Sequence, residues 1–226
     1  KNRLARFSVN PSTAAVTSAP IVLIDNIPGY RFHNGGRIKF GPDGKLYVAT
    51  GAATPDTISQ DINSLGGKIL RVNDDGSAAA GNPFNNRVWS LGHRNPQGIA
   101  WHPTTGEMWI TEHGPSSSAP YCCNDEVNRV VPGGNYGWPK YYGENGLDST
   151  YNYFNITHIK PLAGSGPSSK WAPGGAMFYS GGPLTGPWRN SLFVAGLGGI
   201  DKSNQAIFRV PFSADGRTPQ NNQVER

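Results

Sequence analysis

The sequence predicts an all-β protein built from repeated four-stranded units, as in a β-propeller. Of its 226 residues, 30 are glycine and 19 are proline, while only 15% are charged. Because this composition favours tight turns and short strands, long helices are not expected. Related phrases also recur along the chain at intervals of roughly 60 to 80 residues, which is typical of a repeat fold.

The first two repeats each begin with a predicted β-hairpin. The phrase "GGRIKFGPDGKLYVATG" covers residues 35–51 and has a Pro-Asp-Gly turn between two segments of alternating apolar and polar residues. The phrase "PQGIAWHPTTGEMWITEHG" covers residues 96–114 and has the same layout, with its turn at Pro103 to Gly106. A period of two around a turn signal predicts antiparallel strand pairs.

A further strand-like phrase follows each hairpin. These phrases are "GGKILRVNDDG" at 66–76 and "DEVNRVVPGGNYGWP" at 125–139; a third, "QAIFRVPFSADG" at 205–216, follows "GGAMFYSG" and "NSLFVAGL". A sandwich also has short strands, but it does not explain the recurring order. We expect one partial propeller domain over residues 1–226, with about three to four blades, as part of a longer ring and with no second domain.

Charge and hydropathy exclude several classes of partner. The formal charge is +5, but the sequence has no dense Lys/Arg run of the kind that binds nucleic acid, so no nucleic-acid partner is expected. No apolar run approaches the roughly 20 residues that span a bilayer, and the N-terminus lacks the pattern of a signal peptide. We therefore expect a soluble chain without a membrane span.

Two local features depend on the compartment. Cys122 and Cys123 are adjacent, so they either form a vicinal disulfide in an oxidising compartment or remain free thiols in a loop, and the sequence leaves both open. The tripeptide "NIT" at Asn155 is an acceptor for N-glycosylation in a secreted eukaryotic protein.

Three polar clusters stand beside the predicted hairpins. They are "RFHNGGR" with His33, "GHRNPQG" with Arg94 and Asn95, and "EHGP" followed by "NDEVN" and "GGNYGWP". Each cluster alone is compatible with turns, caps and satisfied loop carbonyls. Because the loops at one end of a propeller surround its central channel, we expect the three clusters to converge at the channel mouth.

Five phrases together resemble the soluble quinoprotein sugar dehydrogenases of the glucose and sorbosone dehydrogenase family. They are "HNGGRIKFGPDGKLYVATG", "LGGKILRVNDDGS", "LGHRNPQGIAWHP", "EHGP" and "DEVNRVVPGGNYGWP", and the likeness runs in order from about Asn2 to Val210. The resemblance implies a six-bladed propeller that binds pyrroloquinoline quinone and calcium. It also implies oxidation of the anomeric hydroxyl of aldoses to lactones, an external electron acceptor, and a periplasmic or secreted location.

The resemblance also implies roles for residues of the first two clusters. His33 matches the general base, which takes the hydroxyl proton while hydride leaves the sugar C1 for C5 of the quinone; neutral imidazole suits this role near pH 7. Arg94 and Asn95 match residues that contact the cofactor. The Arg94 guanidinium would stabilise the negative charge that develops on the oxygen at C5.

The third cluster matches the metal sites of the family. Gly114 and Pro115 match the place where main-chain carbonyls meet the calcium that also binds the quinone, since a hard cation prefers such oxygens. Glu126 and Tyr136 match a second, structural calcium site. In the same way, the resemblance makes Lys202, in "GGIDKSNQ", the candidate for a cofactor-binding lysine if its loop is displaced.

The sequence also departs from the family pattern. Ala52 stands where members have an aspartate that orients the catalytic histidine, and Asp56 and Asp61 are the candidates to replace it. The late arginine pair of the family falls at or beyond Arg226, and the insertion "SSSAPYCC" lengthens the loop beside Gly114. Two other interpretations therefore stay open: a non-catalytic calcium-binding propeller that serves as a binding module, and a hydrolytic propeller such as a lactonase.

Overall fold

The computed structural model describes residues 1–116, 122–183, 185–199, 205–220 and 224–226. The strands within these residues are β1 (Asn2–Arg6), β2 (Ile21–Ile27), β3 (Gly35–Phe40), β4 (Leu46–Thr50), β5 (Lys68–Val72), β6 (Val88–Leu91), β7 (Pro96–Trp101), β8 (Met108–Glu112), β9 (Glu126–Val130), β10 (Tyr141–Tyr142), β11 (Gly146–Leu147), β12 (Ala163–Gly164), β13 (Pro173–Phe178), β14 (Leu192–Leu197) and β15 (Gln205–Val210). The helical segments are short 3-10 helices at Asp56–Gln60, Ser149–Tyr151 and Gly186–Trp188.

Three antiparallel sheets follow one another along the chain. The first has the strand order β3-β4-β5-β6, the second β7-β8-β9-β12 and the third β13-β14-β15. Both predicted hairpins are therefore confirmed, as β3–β4 and β7–β8. Two small hairpins accompany the sheets: β1–β2 precedes them, and β10–β11 is inserted between β9 and β12.

The sheets pack face to face because their central strands are apolar on both sides. Alternate residues of a strand point to opposite faces. In β4, Leu46 and Val48 join the cluster that packs the first sheet against the β1–β2 hairpin, whereas Tyr47 and Ala49 join the cluster shared with the second sheet. In β8, Trp109 points away from that shared cluster and packs with residues of the third sheet.

The first strands of the sheets lie side by side, as they do around the axis of a propeller. Arg37 of β3 donates to the Gln97 carbonyl of β7 at 2.8 Å, and β13 packs against β7 and the neighbouring β8, where Thr111 donates to the Gly174 carbonyl of β13 at 2.9 Å. This stacking of short meander sheets confirms the predicted fold class, a partial β-propeller. The number of blades in the whole ring and the absence of a second domain stay predictions.

The structure also decides the state of the two cysteines. Cys122 and Cys123 form a vicinal disulfide, so the free-thiol alternative is not what is observed. Asn155 is exposed on a loop. In the part of the chain that the structure describes, none of the helices is long and apolar enough to cross a bilayer.

Candidate functional site

A cavity of about 580 Å³ lies where loops of the first two sheets meet the β10–β11 hairpin. Three of the predicted site residues, from separate segments of the chain, line it: His33, Arg94 and Pro115. The other lining residues are Phe32, Asp56, Ser116, Trp138, Tyr142 and Asp148. The expected convergence of the polar clusters is therefore observed for these residues.

His33 is held at the cavity by its backbone. It adopts a left-handed conformation with φ 56°, and its carbonyl accepts a hydrogen bond from the Ala53 N–H at 2.9 Å. The same carbonyl lies so close to Gly51 that a Cβ there would clash with it. The glycine that ends "YVATG" is thus required for the His33 backbone to approach strand β4.

The His33 side chain is uncharged near neutral pH. Burial, followed by the charges of Arg94 and His113, lowers the pKa of His33 to about 4. Among the residues that the structure describes, none forms a hydrogen bond with the ring. The imidazole therefore lacks an orienting partner here.

The residue at position 52 is one reason why the His33 imidazole has no orienting partner among the described residues. Ala52 is fully buried, and its N–H donates to the Arg94 carbonyl at 2.8 Å, but its methyl group offers no acceptor. Of the two proposed replacements, Asp56 lines the same cavity as His33, and burial raises the pKa of Asp56. Asp61 acts elsewhere: its charge favours the protonated form of buried Lys68.

One buried carboxylate, Glu112 at the end of β8, holds the "GHRNPQG" segment. Glu112 is 3% exposed and accepts hydrogen bonds from the backbone N–H groups of Arg94 and Asn95, the latter at 3.2 Å. Its other oxygen lies 2.9 Å from Nδ1 of His93, whose Nε2 lies 2.8 Å from the Ser90 hydroxyl. The backbone of this polar segment and the His93 side chain can be buried before a strand because these groups find partners.

The Arg94 side chain retains unused donor capacity at the cavity. Its Nη1 donates to the His113 carbonyl at 3.2 Å, and its guanidinium lies 5.2 Å from the centre of a Trp138 ring. Within the described residues its Nε is buried without a hydrogen-bond partner. Burial lowers the pKa of Arg94. A buried donor without a partner is costly, so a ligand oxygen would be favoured there.

Asn95 links the first two sheets. Its Oδ1 accepts hydrogen bonds from the Gly35 N–H and from Nε2 of Gln97, both at 3.0 Å. Because Gly35 follows His33 by two residues, this bond helps to place the segment that carries the histidine. The Asn95 Nδ2 has no partner within the described part of the chain.

Gly114 and Pro115 are positioned by a second buried carboxylate. Asp125 accepts from the Gly114 N–H at 2.9 Å, and its other oxygen accepts from the N–H groups of Trp171 and Ala172. A Cβ on Gly114 would clash with the Cys123 carbonyl, so the disulfide segment packs directly against this turn. No described residue donates a hydrogen bond to the carbonyl of Gly114 or Pro115.

Glu126 is a buried carboxyl group, and none of the cationic side chains that the structure describes is bonded to it. Its oxygens accept from Asn128 Nδ2 at 2.8 Å and from the Gly143 N–H at 2.6 Å. Burial, and then the charge of Glu112, raises the pKa of Glu126 to about 8. A small cavity of about 10 Å³ adjoins Glu112, Glu126 and Gly114.

Tyr136 lines this small cavity, but its hydroxyl is bonded to backbone groups. The hydroxyl donates to the Arg129 carbonyl at 2.5 Å and accepts from the Val131 N–H at 3.1 Å. The Tyr136 ring stacks on His93 with centroids 4.7 Å apart. The described residues contain no group of three His, Cys, Asp or Glu side chains arranged to hold a metal, so main-chain carbonyls are needed for such a site.

Lys202 lies outside the described residues, as do positions 117–121 of the insertion. The structure also adds residues that the motifs did not single out. Glu112 and His113 belong to the quoted "EHGP". Their position, at the end of β8 and directly after it, is the sequence signal that could have identified them as site residues. Tyr142 and Asp148 come from the β10–β11 insertion, which matches no repeat, so sequence patterns carried no signal for them.

Comparison with known proteins gives consistent matches. The family model described as Glucose / Sorbosone dehydrogenase matches residues 1–225. Quinoprotein glucose dehydrogenase B of Acinetobacter calcoaceticus is 33% identical over 219 residues, which cover 86% of this chain and 43% of the relative. Aldose sugar dehydrogenase YliI of Escherichia coli is 33% identical over 199 residues, which cover 82% of this chain and 50% of the relative.

A solved structure agrees with these matches. The PQQ-bound form of aldose sugar dehydrogenase from Streptomyces coelicolor superposes with a TM-score of 0.78 at 32% identity, over 99% of this chain and 58% of the other. The chain spans about half the length of the curated relatives that it matches. Motifs, fold and comparisons agree that the chain belongs to the glucose/sorbosone dehydrogenase family.

Proposed function

We propose that the protein is a quinoprotein aldose dehydrogenase. It would use pyrroloquinoline quinone and calcium to oxidise the anomeric hydroxyl of an aldose to a lactone, and an external acceptor would remove the electrons. The observation that carries the proposal is the shared cavity of His33, Arg94 and Pro115, which come from three separated motifs. The names of two relatives, a quinoprotein glucose dehydrogenase and an aldose sugar dehydrogenase, support it.

The residues at the cavity fit the quinone. A volume of about 580 Å³ is in the range of cofactor pockets. Arg94 Nε and Asn95 Nδ2, which have no partner among the described residues, are donors suited to quinone and carboxylate oxygens. Trp138, which packs on Arg94, adds a flat apolar surface. Lys202 stays a proposed further contact.

The residues also fit calcium. The carbonyls of Gly114 and Pro115 accept no hydrogen bond from described residues, and Pro115 lies on the same cavity as Arg94. At the second candidate calcium site, Glu126 is a buried carboxyl group beside Glu112, and the described part of the chain bonds no side-chain cation to it. Burial raises the pKa of Glu126 to about 8, and a hard cation held by Glu126 and the Tyr136 carbonyl would stabilise its ionised form.

The mechanism assigns two tasks to the chain. When bound, the quinone supplies the two-electron oxidant, and calcium polarises it. His33, neutral at pH 7, takes the proton of the sugar's anomeric hydroxyl. The Arg94 guanidinium stabilises negative charge that develops next to it.

The weak basicity of His33 also supports a second candidate. A base with a pKa of about 4 has little driving force for proton abstraction at pH 7, and Ala52 provides no carboxylate to raise it. The alternative is a propeller that keeps the fold and calcium but acts as a non-catalytic binding module. For either candidate we propose a periplasmic or secreted location, because the Cys122–Cys123 disulfide suits an oxidising compartment.

Reconstitution distinguishes the two candidates. Quinone and calcium are added to the protein at its full natural length, and dye reduction is followed with a panel of aldoses, next to a sample without quinone. Aldose-dependent reduction that needs quinone is expected. Tight quinone binding without reduction by any aldose would contradict the dehydrogenase and support the binding module.

A further inference from the structure

An aromatic cluster lies on the loop that follows the β10–β11 hairpin. The rings of Tyr153 and Phe154 have centroids 4.6 Å apart, and Tyr151 lies 6.2 Å from the first and 6.4 Å from the second. Tyr153 is 69% exposed. We refer to residues 148–154 as the aromatic rim. Tyr151 and Phe154 are half-buried, so the three rings form one partly exposed aromatic surface around Tyr153, and contiguous apolar surface of this kind can mark a binding site.

Hydrogen bonds give the aromatic rim a defined conformation. Asp148 accepts from the Thr150 N–H at 2.9 Å and thereby caps the short helix Ser149–Tyr151. The Asp148 N–H donates to the Lys140 carbonyl at 2.8 Å, and the Lys140 ammonium donates to the Phe154 carbonyl at 2.8 Å. Lys140 therefore forms hydrogen bonds with both ends of the aromatic rim.

The rim borders the cavity that contains His33. Asp148, its first residue, lines that cavity together with Asp56 and Arg94. Tyr151 is close enough to both carboxylates to be affected by them: burial first, then the charges of Asp56 and Asp148, raise the pKa of the Tyr151 hydroxyl. The aromatic rim thus begins at a residue of the cavity lining.

We propose that the aromatic rim binds the second sugar ring of an oligosaccharide whose terminal aldose lies at His33. This inference rests on the proposed function. A sugar ring has apolar C–H faces and a hydroxyl edge, so it suits a surface that combines aromatic rings with acceptors such as the Asp148 carboxylate. The preferred substrates would therefore be oligosaccharides rather than free monosaccharides.

Binding measured without turnover tests the proposal. Maltotriose and cellotriose are titrated into the protein by calorimetry, next to glucose, for the unmodified chain and for Tyr153→Ala. Because an aromatic contact of this kind contributes a factor of a few, the trisaccharide Kd should rise about fivefold in the variant. The glucose Kd should change much less. Tyr153 is exposed, so the variant is expected to fold.

Phe7→Ala is the matched control, because Phe7 is 52% exposed and follows β1, outside the three sheets and the aromatic rim. It should leave trisaccharide binding unchanged. In the dye assay, Tyr153→Ala should raise KM for the better-binding trisaccharide with little change in kcat. Unaltered trisaccharide binding in Tyr153→Ala would overturn the proposal, as would trisaccharides that bind the unmodified chain no more tightly than glucose.

The outcomes separate this proposal from the proposed function. If no aldose reduces the dye while trisaccharide binding depends on Tyr153, the dehydrogenase is rejected and the rim is retained as a glycan-binding site. If glucose is oxidised but Tyr153→Ala changes no trisaccharide parameter, the rim is rejected and the dehydrogenase is retained. If Tyr153→Ala abolishes self-association without affecting sugar binding, the rim is a protein interface and the proposal fails.

Discussion

Replacement of Glu112 by alanine tests how the site is held together. The Glu112 carboxylate is 3% exposed and satisfies three donors: the backbone N–H groups of Arg94 and Asn95, and Nδ1 of His93. Arg94 and Asn95 carry the side chains proposed to contact the cofactor. The substitution should therefore reduce both the free energy of unfolding and the affinity for quinone.

The magnitude follows from the number of donors left unpaired. Each buried donor without a partner costs about 1 to 3 kcal/mol, so three would cost about 3 to 9 kcal/mol. Water can enter the space vacated by the side chain and satisfy part of this demand. We therefore expect Glu112→Ala to lower the free energy of unfolding by about 3 to 5 kcal/mol, above the usual range for one substitution.

Two control variants isolate the cause. Glu112→Gln keeps an oxygen for the two backbone donors, and a change of the His93 tautomer would restore its contact, so a cost of about 1 to 2 kcal/mol is expected. Glu107→Ala removes a partly exposed ion pair with Arg129, 3.2 Å long, and should cost about 1 kcal/mol or less. Urea unfolding at fixed pH measures all three. Equal costs for the alanine and glutamine variants at position 112, or an alanine variant as stable as the unmodified chain, would refute the reasoning.

Three further predictions concern buried titratable groups and position 52. His33→Gln should lower turnover by about 100- to 10,000-fold while quinone affinity changes little, and an unchanged rate in the variant would remove His33 from the mechanism. In the unmodified chain, kcat/KM should fall as the pH drops through about 4, because His33 becomes protonated there. Ala52→Asp should raise both the pKa of His33, measured by NMR titration, and the turnover. A folded, quinone-bound variant in which neither the pKa nor the turnover rises would contradict the orienting role proposed for this position. Burial lowers the pKa of Lys68 from 10.5 to about 7, so the folded state binds fewer protons than the unfolded state between these values. The free energy of unfolding should therefore rise with pH from about 7 towards 10, and urea unfolding of Lys68→Met at pH 6 and 9 should show a smaller rise.

Local patterns were sufficient to predict most of the strands. In β3 and β4 the alternation of side chains surrounds a Pro-Asp-Gly turn, and such short-range signals depend only on neighbouring residues. The β10–β11 hairpin was not predicted, because its strands have two residues each and follow no repeat. The Cys122–Cys123 disulfide was left open for another reason: its formation depends on compartment as well as on geometry.

The sequence by itself determined the fold class, the family and the motifs that carry His33, Arg94 and Pro115, because these depend on residue types in a fixed order. Only the tertiary structure decided which of the neighbouring polar residues share a cavity. It placed Asp56 in the cavity lining, whereas the Asp61 side chain accepts from the Asn63 N–H, although both lie on one short segment. It also brought Asp148 and the aromatic rim beside His33 from more than 100 positions away. Contacts across such separations depend on how the sheets pack, and no local pattern encodes that packing.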